Sequence, residues 1–474
     1  MSTRAPVGDG STPQIVEEHR DDDFATQVVP AEARLSRGKV HMASWAMLVG
    51  MIYLFQGALA ATLAGTKQAI IGLLVSAALM ALFNMPMVRL GISTGKGSSL
   101  ASEQVFGKLG RFLIILLLAI ATIYFTVFEG SVIAVSFQHY VGGDLRIWYV
   151  VAVVGMLPLM MGAVLTWLDK INAVLLPLYV AGVLAAVVLA AMNGNPTGWL
   201  EYPGVVPAAA QVIPGWVTTV VIYLGVWLII PVSNDFSRFG RNEDARYHRW
   251  VTFGPVFTTI TLVVNGIIGM FVVQSVLPRS EAASEVGVAI ALVQLMGVVG
   301  LVFIVVTQMR IQTLNFYLSS LNIQRLIQEA TGRRVRRKLL VAVVAVVAVV
   351  LMLTDVFSYL LQTLQWFGIF FVGWGGIMAT CVAFGGMRTN FAPATETTKP
   401  RLLTPATAVW LFSAAVGIAL LQSAEALPLL AQLAPIISLG IAVVGYLLVV
   451  LAQRFTDRAE PGSNGVAVIS RGSS

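Results

Sequence analysis

The sequence predicts an all-α polytopic membrane protein with about twelve spanning helices, and three observations carry the prediction. Of its 474 residues, 57% are hydrophobic and only 11% charged, and the mean hydropathy is +0.83; soluble domains are about 45–50% apolar and about 25% charged. The apolar residues gather into runs long enough for a hydrocarbon layer of ~30 Å, which takes about 20 residues to cross. The basic residues gather between those runs, on alternate loops.

Residues 1–39 are polar, with Asp21, Asp22 and Asp23 in a row. They read as a solvated, disordered tail, since no charged head, short apolar stretch and cleavage site mark a signal peptide. Apolar segments follow at 43–64, 68–90, 111–136, 147–167, 172–192, 216–233, 250–277, 287–322, 339–354, 357–384, 404–423 and 427–452. In lipid only helices or closed barrels satisfy every backbone group, and these segments are too long and too uniformly apolar for barrel strands. The expected organisation is a tail over 1–39, a core of ten helices over 40–390, two more helices over 391–453 and a tail over 454–474.

Orientation follows from lysine and arginine. With the N-terminus inside, the inner side takes Arg34, Arg37, Lys39, Lys96, Lys108, Arg111, Lys170, Arg238, Arg241, Arg246 and Arg249. It also takes the run Arg325 to Lys338, then Arg388, Lys399, Arg401, Arg454 and Arg458. The other side carries Lys67, Arg146 and Arg279. A wrong helix count breaks that alternation. The expectation is a multi-pass protein of the cell membrane with both ends cytoplasmic, its partners the lipid bilayer and a small solute. The basic pI of about 9.6 is then a topology signal, because nucleic-acid binding needs such charge on one soluble face. Cys381 is the lone cysteine, and His19, His41, His139 and His248 fall in tails, loops or helix ends. No metal-ligand spacing, nucleophile motif or phosphate-cradling loop is present, which argues against an enzyme or an ATP-driven pump. Small residues are spread throughout, so a monomer and a weak homo-oligomer are both compatible with the sequence.

Two spans carry helix breakers in matching places. The first (MLVGMIYLFQGALAATLAG) holds Gly50 and Gly57; the sixth (VIYLGVWLIIPVSNDF) holds Gly225 and Pro231. Discontinuous helices at equivalent positions of two inverted halves point to a binding site at the bilayer midplane; the alternative is glycine used for close helix packing. Charge inside the spans is the next signal, because it is costly in lipid and needs a partner or a wet cavity. Glu129 is 18 residues beyond Arg111, and Arg310 is 15 residues before Arg325. At 1.5 Å per residue these are depths of ~27 Å and ~22 Å, so the two can pair, or one can meet the substrate or a proton. A static bridge pinning two helices is the structural alternative. Tyr53 and Gln56 on the first span, Trp227 after Gly225 on the sixth, and Gln312, Thr313 and Asn315 on the eighth complete a candidate pocket. Aromatic faces stack on flat rings, and amides match a donor–acceptor edge, as when Asn or Gln reads adenine.

These residues also carry a resemblance. The stretch Asn234-Asp235-Phe236-Ser237-Arg238-Phe239-Gly240-Arg241-Asn242 resembles the acidic-aromatic-x-Arg-aromatic stretch of the nucleobase–cation symporter family, the purine/cytosine permeases. The loop GISTGKGSSLASEQVFGKLG, ending in Phe106, Gly107 and Gly110, the FYLSSL end of the eighth span, and Gly375-Gly376 are similar to that family's motifs in order and spacing. The resemblance spans most of residues 40–385.

The resemblance implies a LeuT-like five-plus-five inverted repeat with two C-terminal helices. It implies alternating-access symport of a nucleobase or related heterocycle with Na⁺ or H⁺. Substrate contacts are expected from Tyr53, Gln56, Phe125, Glu129, Gly225, Trp227, Gln312 and Asn315, the stacking position of the sixth span falling near Val226 or Trp227. The ion site, or its replacement, is expected at Gly50, Tyr53, Thr307, Arg310 and Ile311. The chain departs from the family where small hydroxyl residues are wanted on the eighth span and Arg310 and Ile311 stand instead. A guanidinium has five donors and no acceptor, so it repels Na⁺. The expectation is a secondary transporter without a cofactor, driven by H⁺ or uncoupled rather than Na⁺-dependent. Tyr124, Phe125, Phe128 and Glu129 replace the family's Gln/Trp contacts on the third span, and Glu129 suits an amine-bearing ligand. The alternative is therefore a carrier of the same fold for an amine, amino acid, vitamin or osmolyte.

Overall fold

The computed structural model describes residues 24, 27–161, 164–278, 286–354, 359–384 and 401–459. Most of the tail expected over 1–39 and the linker 391–400 lie outside the described residues, as does the end of the C-terminal tail. Residues 27–36 are not a free tail. The amide of Val29 donates to Gly95 O (2.9 Å) and that of Leu35 to Phe239 O (2.7 Å). Arg34 donates to the carbonyls of Ile92 and Gly240, and Arg238 Nη1 donates to Phe24 O (2.8 Å). This strap ties the chain's entry to the loops after the second and sixth spans, and Val29 is buried beneath it. The long-range partners, which a reading of composition cannot see, are what correct the expected boundary at 39.

Helices match the predicted spans in order. The first is broken, Arg37–Ser44 continuing as a 3₁₀ turn Trp45–Val49 and then Ile52–Ala64, with a bend of 42°. The second is Thr66–Thr94, the fourth Leu145–Met161 and the fifth Val164–Asn193. The sixth is broken into Gly215–Leu224 and Ile229–Ser237, bent by 46°. The ninth to twelfth are Arg337–Leu353, Leu360–Phe384, Pro405–Gln422 and Ala434–Ala459. The twelfth thus runs beyond the expected end of the spans at 453.

Three segments depart from simple spans. The third runs Ser98–Val141 but kinks at Gly107 (φ +74°), which separates a loop helix from the span. A Cβ at Gly107 would lie 2.4 Å from Arg401 O, because the segment before the eleventh span docks there. Lys108 and Leu109 amides donate to Arg401 O and Leu402 O (3.0 and 3.2 Å). The seventh passes through two π-helical stretches, His248–Thr252 and Thr259–Val264, before Asn265–Val276. The eighth, expected over 287–322, is in fact two helices. Gly297 at φ +55° ends a short helix Gly287–Met296 and starts the span proper, Val298–Thr331. An apolar run cannot reveal that turn, since both halves are equally apolar.

The breaks fall at Gly50 and at Gly225–Leu228, not at Gly57 or Pro231. Gly50 has extended backbone (φ −60°, ψ 123°). Gly57 packs instead: a Cβ there would lie 2.2 Å from Gly266 O on the seventh span, the close approach that small residues permit in membranes. Pro231 sits in the first turn of Ile229–Ser237, where its missing N–H costs nothing. With the first and sixth spans broken alike and two further spans packed on the tenth, the architecture is the expected LeuT-like five-plus-five inverted repeat with two C-terminal helices.

Candidate functional site

Breaking two helices leaves backbone groups without intrahelical partners, and a cavity lies where the two breaks meet. Met47, Gly50, Ile52 and Tyr53 of the first span face Val226, Leu228, Ile229 and Val232 of the sixth. Thr122, Phe125 and Glu129 of the third span, and Ile311, Leu314, Asn315 and Leu318 of the eighth, form the other walls. Each of those two sets is spaced three or four residues apart, which is one face of a helix. The cavity holds about 540 Å³ of space free of protein atoms, part of it open to the outside. Glu129 is the one carboxylate or base among the lining residues, and it is 1% exposed.

The structure brings six of the expected residues to this cavity: Gly50, Tyr53, Phe125, Glu129, Ile311 and Asn315. It turns others away. Trp227, expected to stack on a ligand, points out of the cavity against Phe83 of the second span (centroids 4.9 Å apart), beside Gly375 of the tenth. Val226 takes the wall position in its place. Gly225 lets the tenth span approach; a Cβ there would lie 2.6 Å from Leu364 O. Gln312 bridges the eighth and third spans, Nε2 donating to Thr126 O (3.4 Å). Gln56 is fully buried and donates to Ile222 O (3.4 Å). Arg310 is buried beside Ile311, and no ion pair joins it to Glu129. Equal depth did not bring the two together because depth leaves the rotation of each helix open.

Side chains of neighbouring spans reach carbonyls on both sides of the break in the first span. Asn265 Nδ2 of the seventh span donates to Leu48 O (3.0 Å), and Tyr179 of the fifth donates to Asn265 Oδ1 (3.2 Å). Tyr223 of the sixth donates to Tyr53 O (3.3 Å). Thr307 turns its hydroxyl back onto Phe303 O and Ile304 O (2.8 and 3.0 Å). A hard cation needs several oxygen ligands converging on one point. On the eighth span, Ile311 offers only carbon and Arg310 only donors with a positive charge.

Sequence reasoning missed the apolar wall. Met47, Leu228, Ile229, Val232, Leu314 and Leu318 have no chemical mark that separates them from lipid-facing residues. The three-and-four spacing around Glu129 and Asn315 was the available signal.

No protein-family model and no curated protein matches the chain. Solved structures do. Mhp1, a nucleobase-cation-symport-1 family transporter, in a closed conformation with bromovinylhydantoin bound, is 17% identical with a TM-score of 0.63, over 92% of this chain and 96% of that one. Its inward-facing conformation is 18% identical (TM-score 0.63), over 90% and 92%. A Na⁺-coupled sialic acid symporter in a substrate-bound outward-open state is 13% identical (TM-score 0.60), over 90% and 93%. At these identities the likeness establishes the fold: this chain has the architecture of those transporters along nearly its whole length.

Proposed function

We propose that this chain is a secondary transporter that carries a small heterocyclic solute, a nucleobase or a related ring compound, by alternating access and without Na⁺. The observation that carries the reading is the cavity at the meeting of two helix breaks, with Tyr53 and Phe125 as flat surfaces and Asn315 as a donor–acceptor edge. The transporters of the same fold include one crystallised with a hydantoin, a ring of that kind. Arg310 and Ile311, whose side chains offer no oxygen where ion ligands were expected, support independence from Na⁺. Following the positive-inside rule, both ends of the chain face the cytoplasm. One observation favours a second reading, a carrier of an amine: Glu129 is the charged group of the wall.

Ligand-induced thermal stabilisation of the purified protein tests both. A solute that binds only the native state stabilises it by about 2.7 kcal/mol at one hundred times its Kd. Nucleobases, hydantoins, amines and amino acids are screened in Na⁺ and in K⁺ at equal ionic strength. Stabilisation by ring compounds, equal in both salts, is the expected result. A response confined to aliphatic amines selects the second reading, and a shift that needs Na⁺ refutes the claim about coupling.

A further inference from the structure

At the end of the cavity away from the basic loops, Glu129 of its wall shares a layer with two buried amides that substrate recognition does not account for. Phe55 and Phe128 pack edge to face (centroids 5.4 Å apart), which sets the first and third spans in register. Gln56 and Glu129, the next residue of each, therefore share a level. The third and eighth spans run antiparallel, since Arg111 pairs with Glu329 and Gln312 bonds Thr126. That register places Gln308, one turn before Gln312, level with residues 129–131, within about one turn's rise of Glu129. Gln56 follows Tyr53 by three residues and Gln308 precedes Ile311 by three, so each continues a cavity-lining face outward.

All three side chains are essentially sealed, with exposures of 0%, 1% and 0% for Gln56, Glu129 and Gln308. Each has spare capacity among the described residues: Gln56 Oε1, Glu129 Oε2, and both Oε1 and Nε2 of Gln308 have no hydrogen-bond partner. Buried polar atoms in native proteins are nearly always partnered by protein or ordered water, so three such groups in one layer mark a place built for something mobile.

We propose that Glu129, in one layer with Gln56 and Gln308, is a proton site at the outer end of the cavity, and that its protonation is coupled to occupancy of the cavity. The reason is the chemistry of the flanks. A primary amide both donates and accepts, whereas a carboxylate only accepts and a carboxylic acid also donates. Gln308 serves either form of Glu129 by turning its amide. Gln56, whose Nε2 is committed to Ile222 O, presents only an oxygen and so suits the acid. A static site for a cation would instead gather further acceptors; here the other walls are mostly apolar. The proton is taken from or returned to water at Glu129 Oε2, with no other bond made or broken.

The charged and titratable groups around the site are few. Tyr53 on the first span and Tyr179 on the fifth lie within electrostatic range of Glu129, and Tyr223 on the sixth lies within range of Tyr53. Tyr124 is on the third span itself, Tyr149 is on the fourth and Arg310 is level with Glu129 on the eighth. The helix Gly287–Met296 has no ionisable residue, the tenth span has only Cys381, the eleventh has none, and the ninth carries Arg337 and Lys338 at its basic end.

The inference rests on the transporter reading, and two measurements on the full chain in lipid keep the two separable. The first needs no solute: pH-difference infrared spectra. The wild type is expected to show a titrating carboxylic carbonyl band that Glu129→Gln removes and Gln308→Leu moves to a different midpoint. A band unchanged in both variants overturns the site. The second is calorimetry of the best-binding compound of the panel in two buffers of different ionisation enthalpy. A proton taken up or released with each solute bound is expected for the wild type, and none for Gln308→Leu at the wild-type midpoint. Binding with no proton linkage in the wild type overturns the coupling. A titrating Glu129 band in a protein that binds none of the panel sinks the transporter reading and leaves the proton site standing.

Discussion

The relay Tyr179–Asn265–Leu48 offers a sharp test of what holds the first span in its broken shape. Asn265 is 3% exposed and Tyr179 2%, so neither readily reaches water. Asn265→Ala removes one amide and leaves two groups, Leu48 O and the Tyr179 hydroxyl, without their bonds. A buried group left unsatisfied costs about 1–3 kcal/mol. Side-chain hydrogen bonds in membrane proteins are weaker on average, ~0.6 and at most ~1.7 kcal/mol in double-mutant cycles. Two bonds at the membrane values give about 1–3 kcal/mol in total. Tyr179→Phe breaks a single bond and costs ~1 kcal/mol. In the double variant the orphaned hydroxyl is gone, so Tyr179→Phe costs nothing further. The expected coupling energy is ~1 kcal/mol, read by unfolding the four proteins in detergent. Additive losses, within ~0.3 kcal/mol, would refute the relay. A stability gain from Asn265→Ala would show that the amide is not what fastens the break.

Other expectations are independent of that one. Gly57→Val places a Cβ within 2.2 Å of Gly266 O, a backbone atom that cannot turn aside; the variant should fail to yield folded protein, while Gly155→Ala, with no atom within 4 Å of the added carbon, should behave as wild type. Arg111 joins Glu103 and Glu329 at 2.6 and 2.7 Å, half-buried, so Arg111→Ala should lower stability by about 1 kcal/mol in low salt and by less in high salt, as exposed bridges do; an effect indifferent to salt would discount the pairs. In a Cys381→Ser background, an impermeant maleimide should label His139→Cys on intact cells and Ser36→Cys only after permeabilisation. The reverse pattern overturns the assigned orientation.

How far the sequence spoke for itself depends on which property of a helix is asked about. The existence and order of the spans were legible because each is long and uniformly apolar, and Gly50 and Gly225 were legible as breakers in matching places. Glu129, Tyr53, Phe125 and Asn315 were legible as cavity residues because polar or aromatic groups in lipid stand out. Rotation was not legible. Trp227 and Gln312 have the right chemistry, yet each points at a neighbouring helix, and a uniformly apolar segment has no face by which to tell. The turn at Gly297 was invisible for the same reason, and the strap over 27–36 because its partners, Gly95 and Phe239, lie far off in the chain.

That strap sets a threshold. Any opening of the basic face that parts the second span from the sixth must release Val29 from Gly95 or Leu35 from Phe239, and must strip Arg34 from one of the two carbonyls it bridges. Each such bond contributes about 0.5–1.5 kcal/mol net, and every 1.4 kcal/mol is a tenfold change in an equilibrium. On the alternating-access reading proposed above, two or three bonds at the entry of the chain weight the populations of the two access states by roughly ten- to a thousandfold, and they do so from a point that touches neither the cavity nor Glu129. On that reading the poise of the cycle and its selectivity can change separately, one through residues 27–36 and the other through the walls of the cavity.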